Sequence, residues 1–125
     1  MFVAACGCGL LLLVGSVASA GAANGDPKAG SNVFESSCGD CHSVKPGRHK
    51  SGPSLFGVVG RSAAAAEGYA YSEAMRGSNL VWEPEQLDAF IASPKAVVAQ
   101  SKMRFPGLQN ERSRADLLAF LASQK

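Results

Sequence analysis

Cys38-Gly39-Asp40-Cys41-His42 is the stretch on which the reading of this chain turns. Two cysteines separated by two residues can form a redox disulfide, half of a zinc site or an attachment point for haem. The histidine that follows at once separates the three, because Cys-X-X-Cys-His is the spacing of covalent haem attachment. Two thiols on one turn reach the two vinyl groups along one porphyrin edge. The histidine projects from the same turn and sets an imidazole nitrogen on the iron. A thioredoxin-like pair belongs at a strand-to-helix junction in a longer α/β domain, and no β-α-β pattern surrounds Cys38. A zinc site takes four ligands, and no second cysteine pair follows. The expected cofactor is one haem c, covalent through Cys38 and Cys41.

The iron then needs a ligand on its other face. The chain holds two histidines and three methionines. Met1 lies in a leader, and Met75 lies in a stretch of helical character. Met103 sits in Ser101-Lys102-Met103-Arg104-Phe105-Pro106-Gly107, far enough along for the chain between to wrap a macrocycle and return over its opposite face. A lone methionine is more often core filler, but in a haem protein short of other donors that weighting reverses. His49 is the rival, and an open site is the third alternative. His49 stands only seven residues beyond His42 and leaves little chain to enclose the ring, so Met103 is preferred. With His42 and Met103 both on the metal, nothing reaches iron without displacing a protein ligand, and the pair favours the ferrous state. Such a centre carries electrons and is not an enzyme.

Working outward, residues 1–24 contain no charged side chain, an apolar run at Leu10-Leu11-Leu12-Leu13-Val14 and small residues at Ala18-Ser19-Ala20. This reads as a signal peptide, although no positive charge stands near Met1. A retained anchor is the alternative; the run is short and broken by Gly7, Gly9, Gly15 and Ser16. Cys6 and Cys8 leave with the leader. The remaining domain, 25–125, is expected in the periplasm as a soluble monomer. A domain of about 100 residues buries a modest core and often needs a staple. Lys plus Arg number 12 and Asp plus Glu 10, a net charge of +2. That mild excess suits acidic protein partners and is far too weak for nucleic acid.

The domain reads as all-α, about four helices joined by long loops around one haem. Asp26-Pro27 is an N-cap and helix-starting proline for a helix over 27–36. A short helix covers 71–76. A third runs 84–93, with Leu87, Phe90 and Ile91 on one face, and stops before Pro94. The last spans 113–121, with Leu117, Phe120 and Leu121 at helical spacing. Gly30 would let it lie close against the first. Loops as long as those between would be suspect in an ordinary small domain; here the porphyrin supplies the missing core.

Beyond the haem motif the order of short signatures is specific. Gly25-Asp26, Phe34, Gly47-Arg48-His49-Lys50-Ser51-Gly52-Pro53-Ser54-Leu55, Gly57-Val58-Val59-Gly60-Arg61, Gly68-Tyr69-Ala70-Tyr71-Ser72, Trp82, Pro94-Lys95 and Lys102-Met103-Arg104-Phe105 follow one another. In this the chain resembles the class I cytochromes c, particularly the mitochondrial and purple-bacterial soluble group. The resemblance implies thioethers at Cys38 and Cys41 and axial ligation by His42 and Met103. It implies that the Pro53 carbonyl orients His42, and that Arg61, Tyr71 and Trp82 meet the propionates. Ser101 stands where the family usually has a threonine, and Phe105 would cover the haem edge. Two departures stand out. Ala99-Gln100 replaces a common Pro-Gly, implying a looser ligand loop, and Phe90 replaces a common tyrosine near the methionine sulfur.

The resemblance further implies electron transfer from a quinol–cytochrome c oxidoreductase to a terminal oxidase or a photosynthetic reaction centre. Lys45, Arg48, Lys50, Lys95, Lys102 and Arg104 come from loops flanking the motif or the Met103 segment. Gathered around an exposed porphyrin edge, they would steer acidic docking surfaces of larger redox proteins. The membrane would be met only indirectly, or through a retained leader.

Overall fold

The computed structural model describes residues 24–125; the expected leader therefore lies outside the described residues apart from Asn24. Five helices follow one another, α1 Pro27–Ser37, α2 Glu73–Arg76, α3 Pro84–Ala92, α4 Pro94–Val97 and α5 Glu111–Ala122. Among the described residues the only β pairing is an isolated bridge between Ser62 and Val81, so the all-α expectation holds. None of the described helices is long and apolar enough to cross a membrane.

Helix α1 begins as its sequence dictates. The Asp26 carboxylate accepts from the Lys28 amide at 2.9 Å, and Pro27 fills a position whose amide would have no partner. Asn110 caps α5 in the same manner, accepting from the Ser113 amide at 2.9 Å. The two helices cross with their backbones in contact. A Cβ on Gly30 would fall 1.9 Å from the Asp116 carbonyl oxygen, and one on Gly25 would fall 2.0 Å from that of Ala115. Glycine is thus a packing requirement at both positions. Phe34 meets Phe120 with ring centroids 5.5 Å apart. The buried Asp116 carboxylate accepts from the Asp26 amide at 2.8 Å, tying the chain just ahead of α1 to α5.

Helix α3 ends before Pro94 as expected, but the chain does not then stay irregular. Pro94 starts α4, because its fixed φ suits the first position of a helix. Short pieces also differ at their bounds: α2 starts at Glu73, with the Ser72 hydroxyl accepting from the Met75 amide at 3.1 Å. The core draws Leu87, Phe90 and Ile91 from α3 and Leu117, Leu118 and Leu121 from α5. Leu117 is only 1% exposed. Each fully buried leucine contributes about 1.5–3 kcal/mol. The long connections close over the remaining side and leave a cavity between themselves and this core.

Candidate functional site

The cavity is about 350 Å³ and its walls are chiefly apolar, among them Leu55, Val58, Leu87, Ile91, Leu117 and Leu121. It is bounded by the motif at one edge. The C-cap of α1 is Cys38, whose amide donates to the Phe34 carbonyl at 2.8 Å, so the helix delivers the first cysteine directly to the site. The amides of Cys41 and His42 both donate to the Cys38 carbonyl, at 3.1 and 2.9 Å, which winds the motif into one tight turn. The two cysteines are not joined in a disulfide, and both line the cavity. Burial, with the nearby Cys41 second, pushes the Cys38 thiol up to about 11.

His42 is 8% exposed. Its Nδ1–H donates to the Pro53 carbonyl oxygen at 2.7 Å, which leaves the lone pair on Nε2. Burial lowers the His42 pKa; the Pro53 hydrogen bond opposes that shift and the charge of Lys50 adds to it. The neutral imidazole, with its lone pair on Nε2, is the form that binds a metal. Gly52 lies behind the ring, where a Cβ would come within 2.4 Å of Cε1. Sequence reading listed Gly52 among the signatures but missed this cradle; only the fold shows that the ring occupies the space.

Met103, Arg104 and Phe105, from the irregular segment after α4, also line the cavity. The Met103 amide donates to the Ser101 hydroxyl at 3.3 Å. Met75 lines the same cavity from α2, so the structure brings both internal methionines to the site. His49 is elsewhere. Its Nε2–H donates to the Glu67 carbonyl at 2.7 Å, and its Nδ1 accepts from the Ser54 amide at 2.9 Å. Both ring nitrogens are engaged, and His49 does not line the cavity.

Arg61, Tyr71, Trp82 and Phe90 line it as well. Arg61 donates from Nη1 to the Phe56 carbonyl at 2.9 Å and from Nη2 to that of Ser54 at 3.1 Å. Its Nε is buried and has no partner among the described residues. Burial lowers the Arg61 pKa, offset in part by Tyr71. The Tyr71 hydroxyl accepts from the Ala66 amide at 3.1 Å and keeps its own proton to donate. Trp82 packs on Phe90, centroids 5.0 Å apart.

An apolar cavity with two thiols at its edge, one imidazole lone pair, thioethers and an orphaned guanidinium N–H fits a flat apolar macrocycle with acidic substituents. Zinc chemistry is not supported: among the described residues no three of His, Cys, Asp and Glu are arranged so that they could hold a metal ion. Two of the lysines expected to steer partners are tethered. Lys50 Nζ donates to the Gly39 carbonyl at 2.6 Å. Lys102 Nζ donates to that of Ala70 and lies 4.7 Å from the centre of the Tyr69 ring. Both remain exposed.

No protein-family model matches the chain. Individual relatives do. Cytochrome c of Euglena viridis is 41% identical over 101 residues, which is 81% of this chain and 99% of that protein. Cytochrome c2 of Rhodopila globiformis is 44% identical over 101 residues, 81% of this chain and 95% of that one. Among solved structures, cytochrome cH from Methylobacterium extorquens superimposes with a TM-score of 0.75 at 38% identity, covering 79% of this chain and 99% of its own. Cys38 and Cys41 accordingly carry a covalent haem c, and the chain belongs to the class I c-type cytochromes.

Proposed function

We propose that the protein is an exported electron shuttle whose iron is held between His42 and Met103. Its role as a haem electron carrier and not an enzyme follows from the family; the ligands, the partners and the compartment are the proposal. The observation that carries it is an apolar cavity lined by both His42 and Met103. Haem bound there supplies one-electron exchange between ferric and ferrous iron.

The chain's own residues then set the conditions. Pro53 fixes the imidazole tautomer and its orientation. Met103 offers a neutral thioether, a weak donor to ferric iron, and so raises the potential. The free Arg61 Nε–H and the Tyr71 hydroxyl are donors for propionates, with Trp82 beside them and Ser101 near the ligand loop. Phe105 and the leucines exclude water. Lys102 and Arg104 line the cavity, and together with Lys45, Arg48, Lys50 and Lys95 they would favour acidic partners. A quinol–cytochrome c oxidoreductase fits as donor, and a terminal oxidase or photosynthetic reaction centre fits as acceptor. Removal of residues 1–24 in the periplasm completes this reading, with one haem per monomer.

A spectral redox titration of the mature holoprotein tests it. A single one-electron wave is expected, with a deep-red sulfur-to-iron band in the oxidised form and slow carbon monoxide binding in the reduced form. Fast stoichiometric binding of carbon monoxide, with no such band, would reject the ligand pair. Mass spectrometry of the native protein tests processing; residues 1–24 still attached would exclude the free periplasmic form.

A further inference from the structure

Met103 lies in a stretch, residues 101–110, without regular secondary structure. Nothing in such a segment supplies a repeating hydrogen-bond ladder, so its position depends on a few individual contacts. Those on the returning leg are concentrated in three residues. Gly107 has φ +111°, and a Cβ there would fall 2.2 Å from the Ala92 carbonyl oxygen. The Leu108 amide donates to the Ile91 carbonyl at 2.9 Å, and Gln109 Nε2 donates to the Ala92 carbonyl at 2.9 Å. Both acceptors are end groups of α3 that lack helical partners. Arg114 closes the arrangement from α5. Its Nη1 donates to the Leu108 and Gln109 carbonyls at 2.9 and 3.0 Å, while its Nε donates to Asp88 Oδ1 on α3 at 2.8 Å.

The geometry points to Asp88 and Arg114 as positioning residues for Met103: the ion pair clamps the returning leg of the ligand loop between α3 and α5 and so keeps the thioether at the iron. This rests on Met103 being the ligand. The Arg114 side chain is 13% exposed and that of Asp88 42%. The guanidinium is largely out of water, where its carboxylate partner counts. Without Asp88, the fork that holds two loop carbonyls loses its orienting contact. The second ion pair on α5, Arg112 to Asp116 at 3.2 Å, lies within the helix and has an exposed arginine. It offers a control that touches the same helix but not the loop.

The test compares the holoprotein with Asp88→Asn, Arg114→Gln and Arg112→Gln. Carbon monoxide binding to the reduced form reports how often the methionine side opens. Asp88→Asn and Arg114→Gln are expected to speed it about 10-fold, the size of effect that follows from losing one hydrogen bond to a charged group. In guanidinium titrations both should lose the deep-red band at lower denaturant than the helical circular dichroism. Arg112→Gln should leave the carbon monoxide rate unchanged and move both probes together. If Arg114→Gln does not yield holoprotein, Asp88→Asn decides alone. Unchanged carbon monoxide rates, or band and helix lost together in Asp88→Asn, would overturn the clamp while leaving Met103 as ligand. Absence of the band in the parent protein would overturn both.

Discussion

The two walls of the haem cavity are built on opposite principles. On the His42 side, one turn of chain supplies both thiols and the imidazole, and the Pro53 carbonyl, eleven residues on, orients the ring. Every contact there is local, and α1 leads straight into it. On the Met103 side the donor arrives on irregular chain, held by contacts reaching to Ala92, to Arg114 and, through Lys102, to Ala70. Local structure costs little loop entropy to form, while distant anchoring must offset a longer closure. The methionine wall should therefore open first, and the histidine wall should be lost only with the fold.

The largest break in this contrast is Met103→Ala. It should abolish the deep-red band, open the iron to carbon monoxide and lower the potential by on the order of 0.2 V, within the roughly 0.8 V that axial ligands span. Met75→Leu, on the same cavity, should leave the band and the potential in place; losing the band there instead would move the ligand to α2. Next is Gly30→Ala at the α1–α5 crossing. With the new Cβ 1.9 Å from a carbonyl oxygen, the helices must separate. The cost is about 3 kcal/mol, read as a lower guanidinium midpoint with little change in spectrum. A midpoint equal to the parent's would mean the crossing relaxes freely.

Gly52→Ala sharpens the comparison from the other wall. Its Cβ would press on the His42 ring, so a loss of about 1–3 kcal/mol is expected together with a changed haem-ligand signature in electron paramagnetic resonance. Stability loss with an unaltered signature would show that the backbone yields and the ring does not. The smallest effect belongs to the surface. Lys95→Glu with Lys102→Glu should slow association with an acidic redox partner by about 10-fold at low salt and much less at high salt, since screening removes exposed charge effects beyond about 10 Å. Equal slowing at both ionic strengths would place the effect on the Lys102 tether and hence on the Met103 loop.

How much of this was legible in the residues depends on the range of the interactions. The motif, the cap at Asp26 and the apolar spacing of 117–121 are local signals, and the helices formed close to where they pointed. Gly30 was read as a site of close approach because it shares a face with Phe34. Pro94 was read only as a stop, although the same fixed φ that ends one helix starts the next. The position of His49 could not be read, because its two partners, Ser54 and Glu67, are brought to it by folded loops. Nor could the tethers on Lys50 and Lys102, which depend on backbone carbonyls that any residue type would supply.

The amino-acid order by itself determined the cofactor, because the chemistry of two thioethers and an imidazole demands one spacing, and it determined the three longer helices, whose signals lie within a turn or two. Only the tertiary structure decided that both methionines reach the cavity while His49 does not, and that Arg114, Asp88 and Gln109 hold the methionine leg. Those are meetings of residues far apart in the chain, and chain closure, packing and backbone acceptors set them jointly.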